Sequence, residues 1–137
     1  KLWKIPLMYS CDGGEASAPE LVEAKAHTLR VPQANVLVLN TGRHVPMRVL
    51  YTKEMYVGLA ATVRKGLLSV PDRAGLLLDA FALAKAGKLA ADAVFTLLAS
   101  YAEETNYTVW DAVSQALVGF DNILMAGASD VVYRRFV

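Results

Sequence analysis

Cysteine is almost absent from these 137 residues: Cys11 stands alone. No internal disulfide can form, so the fold must rest on packing and hydrogen bonds. A lone thiol fits a reducing compartment without requiring one. Histidine is scarce too, with only His27 and His44. Neither stands in an H-E-x-x-H or H-x-H spacing, and with Cys11 they make no zinc-ligand pattern. Nor does one sign of charge dominate. Lys plus Arg total 14 and Asp plus Glu total 13, a net charge of +1. Apart from Arg134 and Arg135 the basic residues do not cluster, which argues against a nucleic-acid partner. No apolar run approaches the ~20 residues that span a bilayer, so no membrane partner is expected. The opening "KLWKIPLMYS" does not read as a signal peptide. Gly13-Gly14 precedes no helix of the kind that cradles phosphate, and no G-x-S-x-G occurs. Asn106-Tyr107-Thr108 reads formally as a glycosylation sequon, a triplet that often arises by chance.

What is present is enough for a core: 55% of the residues are apolar and 20% charged, a mix that argues against a disordered tail. The pattern changes near residue 52. Before it, short β-favouring runs are separated by turn residues. "LWKIPLMY" leads into the turn-rich "SCDGGEASAP", and "ELVEAK", "HTLRVP", "NVLVLN" and "PMRVLY" (46–51) follow, with a turn at Thr41-Gly42. Val36 and Val38 alternate with Leu37 and Leu39, apolar on both faces, as in a strand of a sandwich.

After residue 52 the period becomes helical. Met55, Leu59 and Val63 form one stripe, ending near Gly66. Ser69 is the expected N-cap of the next helix, with Pro71 in its first turn and Asp72 three residues after the cap. Leu76, Leu77, Ala80, Phe81 and Ala84 form its buried stripe, and Gly87 supplies a left-handed stop. A further helix places Val94, Leu97, Leu98 and Tyr101 inward. Another is anchored by Trp110, Val113 and Leu117. "SDVVYRRFV" begins one more at Ser129. Helices joined by short loops make an antiparallel array. The expected fold class is therefore α+β in two segregated parts. A partial antiparallel β-sandwich over 1–52 precedes a helical array of HEAT or armadillo type over 53–137.

Asp72, Arg73 and Asp79 form an acid–base pattern on the second helix. Asp72 is expected to cap that helix, with Arg73 and Asp79 pairing to neighbouring elements rather than doing chemistry. The adjacent Glu103 and Glu104 are expected on a solvated face.

The ordered set of these segments resembles the zinc aminopeptidases of the aminopeptidase N and puromycin-sensitive type, the latter branch most. Trp3, Ile5, Pro6 and Leu7 resemble the family's W-x-I-P-L strand. Leu39, Asn40, Thr41 and Gly42 resemble its L-N-x-G turn. Arg48, Val49 and Tyr51 resemble the end of its G-F-Y-R-V-x-Y strand. Asp72, Arg73, Ala74, Leu76, Asp79, Ala80, Phe81 and Leu83 resemble its D-R-A-x-L-x-x-D-A-F-x-L helix, continued by Ala86 and Gly87. Glu104, Tyr107 and Trp110 resemble its E-x-x-Y-x-x-W stretch. Val45-Pro46-Met47 departs from the usual Gly-Phe-Tyr, Leu78 from a frequent Asp, and Thr108-Val109 from a common Val-Pro.

The resemblance implies a four-domain parent. This chain would be the later part of its small β-sandwich and the first helices of its last domain. It further implies that the sandwich bridges the parent's catalytic domain to a helical domain enclosing the peptide chamber. Zinc belongs to the parent: the H-E-x-x-H and G-x-M-E-N motifs are absent here. The chain by itself is expected to be inactive, with no catalytic, metal or cofactor residues. The parent would act on peptides, in the cytoplasm. The end at Val137, inside the helix begun at Ser129, suits a fragment. It is also expected to leave open edges, with Val131, Val132 and Phe136 uncovered, and hence self-association. The other reading is a free-standing module that binds a protein partner through a helical face.

Overall fold

The structure, a computed structural model, describes residues 3–127. Four three-residue strands come first: β1 (Ile5–Leu7), β2 (Tyr9–Cys11), β3 (Glu20–Val22) and β4 (Leu37–Leu39). They pair antiparallel as two separate ribbons, β1 with β3 (Pro6 opposite Leu21) and β2 with β4 (Ser10 opposite Val38). Four helices follow among the described residues: α1 (Lys53–Arg64), α2 (Val70–Lys85), α3 (Ala91–Leu98) and α4 (Tyr107–Gly127). Single 3₁₀ turns occur at Thr41–Arg43 and Ala99–Tyr101. The architecture is α+β, with small antiparallel sheets preceding the helices.

Two expected strands are not there. Residues 27–32 and 46–51 carry no ladder. In the second run the reason is visible. Val49 donates its N–H to the Asp79 carboxylate (3.3 Å), a side-chain bond where a strand would use a backbone carbonyl. The apolar alternation there records burial of Val49 and Tyr51 against the helices, not sheet pairing. In the first, Pro32 lacks a donor, and His27 bonds the Glu20 side chain.

Helix boundaries follow local chemistry. Thr52 caps α1 by accepting from Met55 N–H (3.3 Å). Gly66, at φ 67°, ends it, with Leu67 N–H returning to Thr62 C=O. Ser69 caps α2 and accepts from Asp72 N–H (3.2 Å). Gly87, at φ 69°, closes α2, and Lys88 N–H reaches Leu83 C=O in the Schellman arrangement. Asn106 Oδ1 accepts from Thr108 N–H (3.0 Å) at the start of α4.

α2 packs between α3 and α4, and α1 lies on α3. Tyr56, Leu59, Leu77, Val94, Leu97, Tyr101 and Val109 form the driest part of one continuous core. The buried face of α4 is Val109, Ala112, Val113, Ala116 and Phe120. It is therefore rotated from the expected one: Val113 is inside, but Trp110 and Leu117 are each 42% exposed. α4 runs on through Gly119. A Cβ at 119 would sit 2.7 Å from Phe81 Cε1, so this glycine admits the ring of α2 rather than ending a helix. Phe81 itself is half-buried and meets Phe120 edge-on at 5.1 Å. The cap expected at Ser129, and Val131, Val132, Arg134, Arg135 and Phe136, lie outside the described residues.

Candidate functional site

Asp72 and Asp79 stand two turns apart on one face of α2 and both are buried, 5% and 4% exposed. Each holds a different part of the loop after β4. Asp72 accepts from Ser69 Oγ (2.7 Å), Thr41 Oγ1 (2.9 Å) and Gly42 N–H (2.7 Å). Thr41 in turn receives the Ser10 hydroxyl from β2 (3.4 Å). Gly42 can present its N–H because it sits at φ 73°, in the left-handed region. Asp79 accepts two bonds from Arg43, at 2.6 and 2.9 Å. The Asp79 hydrogen bond holds the Arg43 guanidinium above its usual pKa. Arg48 stands farther off, 3.9 Å from Asp79 Oδ1, with its side chain 65% exposed.

The loop between them is braced from within. Asn40, left-handed at φ 56° and 1% exposed, donates to Val45 C=O (2.8 Å) and accepts from Val45 N–H (3.1 Å). Tyr51 OH accepts from Leu39 N–H (2.9 Å), and burial pushes its pKa up to about 12. Arg43 lies across Gly75 of α2, where a Cβ would come within 2.6 Å of Arg43 Cδ. A glycine in mid-helix costs about 1 kcal/mol relative to alanine. Here it is what lets the guanidinium reach Asp79.

A second clasp joins α2 to the start of α4. Arg73 donates from Nε to Glu104 Oε2 (2.6 Å) and from Nη2 to Glu104 Oε1 (3.2 Å). The bond from Arg73 holds the Glu104 carboxyl below the usual carboxylate range. Glu104 also accepts from Asn106 N–H (2.8 Å), and its carbonyl takes the Trp110 indole N–H (2.7 Å). Tyr101 OH donates to Arg73 C=O (2.7 Å), and burial raises its pKa. Glu104 is thus not on a solvated face; its side chain is 9% exposed, whereas Glu103 is exposed.

The sequence-derived residues therefore divide. Arg73 and Asp79 pair with neighbouring elements, whereas Asp72 does not cap α2: Ser69 is the cap, and the Asp72 carboxylate is taken up by Ser69 Oγ, Thr41 and Gly42. Asn40, Gly42 and Tyr51 join them at the junction. Phe81 and Gly87 serve the packing and the end of α2. Trp3 (87% exposed) and Tyr107 (84%) stand at the surface, and Pro6 faces outward on β1. Arg43 is the partner that sequence reasoning missed. Its carboxylate lies 36 residues away, and no local pattern marks such a pair.

Chemically the cluster is saturated. The carboxylates of Asp72, Asp79 and Glu104 are each engaged by several donors of this chain, which suits a strut and not a proton-transfer group. Nor do the residues fit zinc. Among the described residues no three of His, Cys, Asp and Glu are grouped to hold a metal. His27 is spent on Glu20 (2.5 Å), and the His44 ring packs beside Gly42.

Residues 36–137 match the family model described as "ERAP1-like C-terminal domain". Aminopeptidase M1-B of Oryza sativa subsp. japonica is 26% identical over 134 residues, 89% of this chain and 15% of that protein. The puromycin-sensitive aminopeptidase of Caenorhabditis elegans is 32% identical over 120 residues, 84% of this chain and 13% of that protein. The thyrotropin-releasing hormone-degrading ectoenzyme of Homo sapiens is 41% identical over 58 residues, 42% of this chain and 5% of that protein. The chain thus spans about a seventh, or less, of the length of these relatives.

Proposed function

Since the chain belongs to the M1 aminopeptidase family, in its C-terminal part, we propose that it is a non-catalytic part of a larger zinc-dependent aminopeptidase that removes N-terminal residues from peptides. Residues 1–52 would be the later part of a β-sandwich, and 53–137 the opening of a helical-repeat domain. Together they would bridge the catalytic domain of the same polypeptide to the helical domain around the peptide chamber.

The observation that carries this reading is the Asp72–Thr41 and Asp79–Arg43 pair of clasps. They fasten the strand-bearing segment to α2 at two points along the helix, which makes a rigid joint. A joint of that kind is what a bridging element needs. The packing of α1 on α3 and of α2 on α4 supports a helical repeat, since each helix lies on the next but one. The zinc would be held by residues outside this chain, and no step of the reaction runs through the residues present. The cytoplasm is the proposed compartment, on the likeness to the puromycin-sensitive branch; fractionation of cells producing the parent tests it. No helix among the described residues is long and apolar enough to cross a membrane.

The test is hydrolysis of an aminoacyl reporter by the parent polypeptide and by this chain. The parent should release the N-terminal residue in a chelator-sensitive way, and the chain alone should not. A parent without such activity, or an active chain, overturns the proposal.

A further inference from the structure

On the outer side of the Arg43–Asp79 clasp an open groove of about 720 Å³ runs between the C-terminal half of α2 and the loop before Val49. Its apolar wall is Met47, Leu78, Ala82 and Leu83, and Arg48 and Lys88 stand along it. The charge in it is one-sided. Asp79 is the one acid among its described lining residues, and two bonds from Arg43 and one from Val49 N–H already engage it. Arg48 has a single long approach to that carboxylate and its side chain is 65% exposed. Lys88 makes no side-chain bond among the described residues and is exposed. The groove therefore offers apolar contact flanked by two exposed cations, Arg48 with only a 3.9 Å approach to the already engaged Asp79 and Lys88 with no carboxylate partner among the described residues. An arginine is suited to a carboxylate by its fork of N–H donors, a lysine by its point charge.

Resting on the aminopeptidase reading above, we infer that this groove docks a segment of the same parent polypeptide, outside residues 1–137, carrying an Asp or Glu carboxylate beside apolar side chains. The chemistry of the occupant follows from charge complementarity. Its source follows from length: this chain is 15% of Aminopeptidase M1-B, so a covalently attached partner is present at high effective concentration.

The experiment is photo-cross-linking in the full parent polypeptide. p-Benzoylphenylalanine replaces Pro46, which is exposed at the groove's edge. Mass spectrometry then identifies the linked peptide. The expected result is an intramolecular link to a segment holding a carboxylate among apolar residues. Its yield should fall at least about tenfold in Arg48→Glu/Lys88→Glu, because like charges then face each other. Lys88→Glu alone, which breaks no described contact, should lower it in the same direction and guards against misfolding of the double variant. No intramolecular link overturns the inference. So does a link indifferent to charge reversal, or one to another copy or another protein. The link is read without reference to hydrolysis, so its failure and the failure of the aminopeptidase reading are distinguishable.

Discussion

Arg43 and Asp79 meet through two parallel bonds, Nη1 to Oδ2 at 2.6 Å and Nη2 to Oδ1 at 2.9 Å, across 36 residues of chain. The carboxylate side chain is 5% exposed and the guanidinium side chain 28%. Removing one member strands the other, and a stranded buried charge is costly. Arg43→Met should lower stability by about 3 kcal/mol, near the lower end for a broken buried pair because Arg43 keeps some solvent. Asp79→Leu should cost a similar amount. The double variant should cost clearly less than the two added together, since no lone charge remains. Urea unfolding of the four proteins measures it; strict additivity would mean that the pair is not coupled.

Gly75→Ala reverses the usual expectation for a helix. On propensity alone alanine should stabilise α2 by about 1 kcal/mol. The new methyl would instead meet Arg43 Cδ and Cζ at 2.6 Å. The expected outcome is a loss of about 1–3 kcal/mol, the size of an overpacked contact. In an Arg43→Ala background the same change should become neutral or stabilising. That sign change, read from thermal unfolding, separates a steric effect of Arg43 from a general intolerance of the helix.

The helix side of this junction was legible in the sequence and the loop side was not. Ser69 and Gly87 act within a few residues of where they stand, so the cap and the stop can be read locally, whereas the Asp72 carboxylate reaches Thr41 and Gly42 about thirty residues back. Arg43 and Glu104 act across 36 and 31 residues, and nothing in their neighbours announces it. The run 46–51 looked like a strand because Val49 and Tyr51 are buried, and burial on alternate positions has one signature whatever it packs on. The face of α4 was misjudged by one position, since Trp110 is apolar yet spends its indole N–H on Glu104 C=O near the surface. The family resemblance carried what local pattern could not: the order of the segments and the α2 motif.

Glu104 sets an acid limit on stability. Its folded carboxyl lies below its ordinary 4.5 because Arg73 bonds the charged form. A group lowered on folding contributes stability above its unfolded pKa and loses it as the pH falls through the folded one. Stability should therefore decline below about pH 4.5. Glu104→Gln should be less stable at pH 7 and flatter across the acid range. Unfolding free energies between pH 2 and pH 7 test this, and an unchanged slope in the variant would assign the acid sensitivity elsewhere.

Tyr51 sets the alkaline limit, with the opposite sign. Burial raises its phenol from 10.0 to about 12, so the folded state favours the neutral form. A group raised on folding contributes stability below its unfolded pKa and loses it as the pH climbs through the folded one. The hydroxyl oxygen also accepts Leu39 N–H (2.9 Å), which ties the end of β4 to the residue before the α1 cap. Tyr51→Phe keeps the ring and its edge-on contact with Tyr56 at 5.6 Å but removes that acceptor. It should cost about 1–3 kcal/mol at pH 7, the penalty of a partly buried N–H left without a partner. Between pH 10 and pH 12 the wild type should lose stability faster than Tyr51→Phe, so the gap between them should narrow. Amide hydrogen exchange at Leu39 gives a local readout: it should accelerate in Tyr51→Phe at neutral pH. A gap that stayed constant into the alkaline range would mean that the Tyr51 hydroxyl is not the group titrating there.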